Sequence, residues 1–148
     1  MTDNVLLAME IAQQTMLGYR AESDRPAWKH PRDIVELLGQ MPGPWSKPDK
    51  RSFLEEVIWL HDVLEDGVKE DGSRVTADDL VNLGFSVKVI DAVTLLTCDD
   101  DEDKIDYLKR IFHAPEAVRI IKALDRIVNL REGLQTYGGN DWLARYVD

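Results

Sequence analysis

Ser52-Phe53-Leu54-Glu55-Glu56-Val57-Ile58-Trp59-Leu60-His61-Asp62-Val63-Leu64-Glu65-Asp66-Gly67 decides how the rest of the chain is read. Leu54, Val57, Ile58 and His61 recur at i, i+3, i+4 and i+7, which is one side of an α-helix. Ser52-x-x-Glu55 has the form of a capping box, and Gly67 suits a left-handed stop. The expectation is therefore a helix from Ser52 to about Asp66. Its end crowds four ionisable groups, His61, Asp62, Glu65 and Asp66, into six residues. Asp62 is three residues from Glu65 and four from Asp66, spacings that make neighbours on a helix surface. A solvated acidic helix end is the plainer reading of an isolated His-Asp pair. Burial against other helices weakens it, because the carboxylates would compete for desolvation and repel one another without a cation. One imidazole and one carboxylate suit a divalent transition ion.

Moving outward, almost every segment carries the same period. Val5, Met9, Ala12 and Met16 form an apolar stripe on a first helix. Pro31 suits a first helical position, which places His30 at the cap of a helix to about Leu38. Gly39 to Asp49, with three prolines and two glycines, reads as a loop. Thr76-x-x-Asp79 caps a short helix ending at Gly84, and Ser86 caps the next, through about Thr97. Asp99 to Asp103 is read as acidic residues complementing a helix N-terminus rather than a calcium loop, because EF-hand spacing and its central glycine are missing. Further helices are expected over Glu102–Phe112, Pro115–Arg131 and Asn140–Tyr146, with Gly138-Gly139 breaking the chain before the last. The fold expected is all-α, a single-domain bundle of about eight helices over residues 1–148, with no strand or repeat.

A second cluster lies in Lys122-Ala123-Leu124-Asp125-Arg126-Ile127-Val128-Asn129. The apolar residues around it suggest a helix buried nearly all round. Asp125 and Asn129 share a face, and an ionised aspartate there needs a partner. A salt bridge to Lys122 or Arg126 and a metal contact satisfy that need equally well. His30 alone reads more simply as a helix-cap residue, and His113, before Ala114-Pro115, as a junction residue. Trp45, Trp59 and Trp142 read as packing residues. Trp28, next but one to His30, is the better candidate for stacking on a ligand.

The 148 residues hold 44% apolar and 31% charged side chains, an ordinary folded composition. A net charge of −10, from 18 basic and 28 acidic residues, argues against nucleic-acid binding. The same charge means that an anionic substrate needs a bound cation or a local basic cluster to offset it. The apolar runs are too short for a membrane span, no secretory signal is visible, and Cys98 is the only cysteine. A cytoplasmic location is the simplest expectation, and oligomeric state is not legible.

The order His30 … His61-Asp62 … Asp125 resembles the HD superfamily of metal-dependent phosphohydrolases. Within it, the chain resembles the hydrolase domains of RelA/SpoT-type alarmone enzymes and their small single-domain relatives. Their His-Pro opening a helix is matched by His30-Pro31, and their Leu-His-Asp-x-x-Glu-Asp by Leu60 to Asp66. Their Lys-x-x-Asp-Arg-x-x-Asn-Leu-Arg is matched by Lys122 to Arg131. Thr76 to Leu80, Gly84 to Thr97 and Tyr107 to Ile111 are similar to the linking helices, so the resemblance runs from about residue 5 to 132.

The resemblance implies an HD-type fold and a divalent metal, typically Mn2+, held by His30, His61, Asp62 and Asp125. It implies that Glu65 and Asp66 position and activate the attacking water, and that Asn129 holds substrate or the Asp125 geometry. The activity implied is removal of the 3′-pyrophosphate of guanosine tetra- or pentaphosphate. Ahead of His30 the chain departs from the family: Met16, Tyr19, Glu22 and Ala27 stand where polar, basic and other residues are usual, and only Gly18 and Pro26 fit. Arg20, Arg25 and Lys29 supply charge there by another route, so Arg20, Lys29 and Trp28 are the candidate substrate contacts. Lys104 and Lys109 are further candidates for phosphate, with surface solubility the plainer role. The alternatives are an HD-type nucleotidase acting on nucleoside monophosphates, a non-catalytic nucleotide-binding module, and a metal-free helical interaction protein.

Overall fold

A computed structural model describes residues 2–20 and 25–137. The described residues form α1 (Asp3–Thr15), α2 (Lys29–Gly39), a 3-10 turn (Pro44–Ser46), α3 (Pro48–Leu60), α4 (Val63–Asp66), α5 (Ala77–Asn82), α6 (Val87–Leu96), α7 (Lys104–Phe112) and α8 (Glu116–Tyr137). The all-α expectation holds. Seven of these helices have six residues or more, and α4 is a single turn. The expected helix at Asn140–Tyr146, with Gly138-Gly139 and Trp142, lies outside the described residues, as does Glu22. Among the described residues there is no strand; two isolated antiparallel bridges, Tyr19–Pro26 and Val68–Arg74, pin loops. No described helix is long and apolar enough to cross a membrane.

Capping chemistry explains where several helices begin. Thr76 and Asp79 form a complete capping box on α5, and the Ser86 hydroxyl accepts from Val89 N on α6. The acidic run before α7 ends in Asp103, whose side chain accepts from Ile105 N. Two expected starts move. The helix expected at Ser52 begins at Pro48, because proline has the φ and the missing N–H that suit a first turn. Glu55 then pairs with Arg51 at 3.2 Å instead of closing a capping box. The helix expected at Pro31 begins at Lys29, with Trp28 as N-cap. His30 is thus inside the first turn, where Pro31 is still tolerated because first-turn N–H groups have no helical acceptor.

The long helix expected through Asp66 is also broken. It stops at Leu60, and the chain restarts as α4 after His61 and Asp62. Gly67 is extended (φ −71°, ψ 133°), not left-handed. Its lack of a side chain serves close packing instead: a Cβ there would meet the Val63 carbonyl oxygen at 2.5 Å.

α3 is the hub, packing against α1, α2, α6 and α8, while α8 also packs against α2, α6 and α7. Ile58, Leu60, Ile34, Leu38, Ile121 and Leu124 are fully buried at this junction. α8 is not buried all round as expected: Val118, Ile121, Leu124, Asp125 and Val128 face the core, whereas Ile127 is exposed. Asp125 therefore sits on the inner face, opposite the C-terminal end of α3 and the first turn of α2. Trp59 is buried and Trp45 packs on the core, consistent with packing roles. His113 is the exposed C-cap of α7 and stacks edge-on with Phe112.

Candidate metal centre

Three helices deliver the four predicted ligands to one place. His30 comes from the first turn of α2, His61 and Asp62 from the break between α3 and α4, and Asp125 from the inner face of α8. His30, His61 and Asp125 are buried, at 2%, 4% and 6% exposure. Ligand atoms of His30, His61 and Asp62 lie within 4.8 Å of one another. Asp125 Oδ1 accepts from His30 Nε2 at 2.6 Å and lies 3.4 Å from His61 Nε2, which is 3.1 Å from Asp62 Oδ2. The imidazole centroids are 5.5 Å apart.

The convergence falls at the break between α3 and α4. Two adjacent residues on a regular helix diverge by about 100°. Here His61 closes α3 and Asp62 opens α4, and the two side chains meet, His61 Nε2 lying 3.1 Å from Asp62 Oδ2. His61 Nδ1 donates to the Ile58 carbonyl at 2.6 Å, which fixes the tautomer and leaves Nε2 facing the carboxylates. That Nε2 is buried and makes an aligned hydrogen bond to neither carboxylate; His30 Nδ1 is likewise buried without a partner among the described residues. A buried unsatisfied imidazole nitrogen between two carboxylates asks for a cation.

The electrostatics agree. Burial works against a proton on His61, yet the charges of Asp62 and Asp125 outweigh it and raise its pKa well above the usual value. Burial would also raise Asp125; the hydrogen bond from His30, the His61 ring and Lys122 instead hold it well below the ordinary carboxylate range. Asp62 is lowered too, burial again being overcome by His61. A site that concentrates protons in this way competes for a metal ion by the same field. Two carboxylates and two neutral imidazoles match the charge of a divalent ion. The contacts of 2.6 to 3.4 Å bracket the about 3 Å between adjacent donors on an octahedral ion with bonds of about 2.1 Å. The residues present fit a divalent metal.

Of the partners weighed for Asp125, the Lys122 salt bridge forms on Oδ2, with Nζ at 3.2 Å, while Oδ1 takes His30. Lys122 lies over the Tyr107 ring, and Arg110 is also within cation–π distance of it. Glu65 and Asp66 stand on α4, one turn beyond Asp62. Burial, then the Asp62 charge, raises Asp66; burial raises Glu65 despite the bond from Cys98 N to its Oε1. Four acids in one corner are thus split into two held ionised and two pushed toward holding a proton.

The candidate substrate contacts are arranged differently from one another. Arg20 and Asn129 meet, Arg20 Nη2 donating to Asn129 Oδ1, and Arg20 Nε pairs with buried Glu132 at 3.3 Å. Trp28 and Lys29 immediately precede His30 in the chain, with Lys29 Nζ 5.8 Å and the Arg32 guanidinium 6.0 Å from the Trp28 ring centroid. No hydrogen bond or ion pair joins Trp28 or Lys29 to the cluster among the described residues. Lys104 and Lys109 are exposed on α7. Sequence reasoning missed Arg74, Cys98 N–H and Glu132, all of which act through long-range contacts without a periodic signal. No family model matches the chain, and no curated protein matches it significantly.

Proposed function

We propose that the protein is a metal-dependent phosphohydrolase of the HD type that cleaves a nucleotide (pyro)phosphate ester, with (p)ppGpp 3′-pyrophosphohydrolase-like activity. The observation that carries this reading is the meeting of His30, His61, Asp62 and Asp125, from three separate helices, around an unsatisfied buried imidazole nitrogen beside a second pair of acids. A metal-free interaction surface gives no reason to bury two imidazoles and an aspartate. The Glu-Asp pair after His61-Asp62 favours the pyrophosphohydrolase over a nucleotidase acting on nucleoside monophosphates.

When bound, a divalent ion such as Mn2+ supplies Lewis acidity toward a phosphate oxygen and acidifies water at neutral pH. His30, His61, Asp62 and Asp125 would hold it. Glu65 and Asp66, raised by burial, would accept the proton of the attacking water and return one to the leaving oxygen. Lys122 keeps Asp125 ionised and adds positive charge to an otherwise acidic corner. Arg20 and Asn129 would meet the remainder of the nucleotide.

The test is a panel of guanosine tetraphosphate, GTP and deoxynucleoside monophosphates with Mn2+, read for pyrophosphate and phosphate release. Metal-dependent pyrophosphate release is expected. Asp125→Asn is expected to weaken Mn2+ binding by about 100-fold or more and cut turnover below about a thousandth. Phosphate release from monophosphates alone would select the nucleotidase. Tight nucleotide binding without product would select the binding module. Turnover that survives in Asp125→Asn would contradict the site.

A further inference from the structure

Gly67 to Val75 forms a tight hairpin rather than a slack loop. Val68 and Arg74 are bridged, Lys69 N donates to Ser73 O at 2.8 Å, and Gly72 turns the chain with φ +86°. Asp71 accepts from both the N–H and the hydroxyl of Ser73, and Lys69 pairs with Asp79 at 3.1 Å on α5. Val68 N donates to Thr15 O, and Val75 N to Gly67 O. The hairpin is thus fastened to α1, α5 and its own base, and Arg74 stands at a fixed point on it.

From there Arg74 reaches back to the acidic turn. Its Nη2 donates to the Leu64 carbonyl at 3.1 Å and the Glu65 carbonyl at 2.8 Å, while Nη1 lies 3.3 Å from Asp100 Oδ2. A single-turn helix leaves its last carbonyls without helical donors, so an outside donor is needed to hold its shape. The guanidinium, with donors fixed in a plane, spans two carbonyls and a carboxylate as an ammonium does not. The loop that carries Asp100 also supplies Cys98 N–H to Glu65 Oε1 at 2.5 Å. Arg110 secures that loop through the carbonyls of Leu95 and Thr97 and both oxygens of Glu102. Glu65 is therefore gripped twice from outside its helix, at the main chain by Arg74 and at the side chain by Cys98.

We infer that Arg74 is a positioning residue: by clamping the carbonyls of Leu64 and Glu65 it sets how the Glu65 and Asp66 carboxylates stand against the His30–His61–Asp62–Asp125 cluster. This rests on the phosphohydrolase reading above. Arg74 touches none of the four candidate ligands, so its removal leaves the cluster intact while loosening the pair of acids. Misplacing a reacting group by about 1 Å costs on the order of 100-fold in rate.

The experiment compares wild type, Arg74→Ala and Arg74→Lys on whichever panel nucleotide the wild type turns over fastest. Mn2+ binding is followed by calorimetry, and amide exchange of Asp66 and Gly67 by NMR. Arg74→Ala is expected to lose about 10- to 100-fold in kcat with KM and Mn2+ affinity within about threefold of wild type. Its Asp66 and Gly67 amides are expected to exchange at least about tenfold faster. Arg74→Lys, which keeps the charge but not the fork, is expected to stay within about threefold of the alanine variant. A kcat within threefold of wild type, a loss carried by KM, or a collapse of Mn2+ binding overturns the proposal. A wild-type protein silent across the panel overturns the hydrolase reading instead, and the exchange rates then decide the clamp alone.

Discussion

At the scale of single residues, the buried charges divide into those that have an evident task and one that does not. His30 pairs with Asp125, His61 Nε2 stands between Asp62 and Asp125, and Glu132 pairs with Arg20. Glu56, on α3 and away from that corner, is buried, and burial raises its pKa above the usual value against the opposing influence of the Asn4 side chain. A carboxyl with a folded pKa above its unfolded one contributes stability that is complete below the unfolded value. That contribution is lost as pH rises through the folded value. Glutamine at this position keeps nearly the same shape and never ionises. Glu56→Gln should therefore melt higher than wild type at pH 7, with the difference vanishing below about pH 4. Equal melting temperatures at both pH values would contradict the burial argument. The ligand candidates were legible in the chain because each lies in a short motif of fixed order. Arg74 was not, since nothing in Gly72-Ser73-Arg74 announces a contact with carbonyls nine and ten residues back.

At the scale of elements, helix existence was easier to read than helix ends. The apolar period of α1, α3, α6 and α8 and the caps at Thr76 and Ser86 were visible in composition and spacing. Ser52-x-x-Glu55 misled because Pro48 offered an earlier start, and Glu55 found Arg51. The interruption after Leu60 was hidden because Leu60 through Asp66 has continuous helical character; only tertiary packing turns His61 and Asp62 together. Gly67 closes that interruption by packing rather than by a left-handed φ. Gly67→Ala should force its Cβ against the Val63 carbonyl, costing about 1–3 kcal/mol and lowering the melting temperature by roughly 3 to 10 °C. A variant as stable as wild type would show that the α4 turn relaxes freely, and would weaken the claim that it is held rigidly beside the cluster.

At the scale of the whole molecule, the architecture bears on the charge problem that the proposed phosphate substrate poses. A chain of net charge −10 repels phosphate, and its acidic residues are dense on α4 and in the Asp99–Asp103 loop. The bundle gathers His30, His61, Asp62 and Asp125 where α2, α3 and α8 meet, and places Lys122, Arg20 and Arg74 around that corner. On the proposed reading, a divalent ion there would neutralise Asp62 and Asp125, so that Lys122 beside them could favour an anion. The most direct check is anomalous diffraction from crystals grown with Mn2+. The expected result is one strong peak bonded by His30, His61, Asp62 and Asp125 together. Density absent from that corner, or a peak held by other residues while these four keep their mutual contacts, would contradict the account.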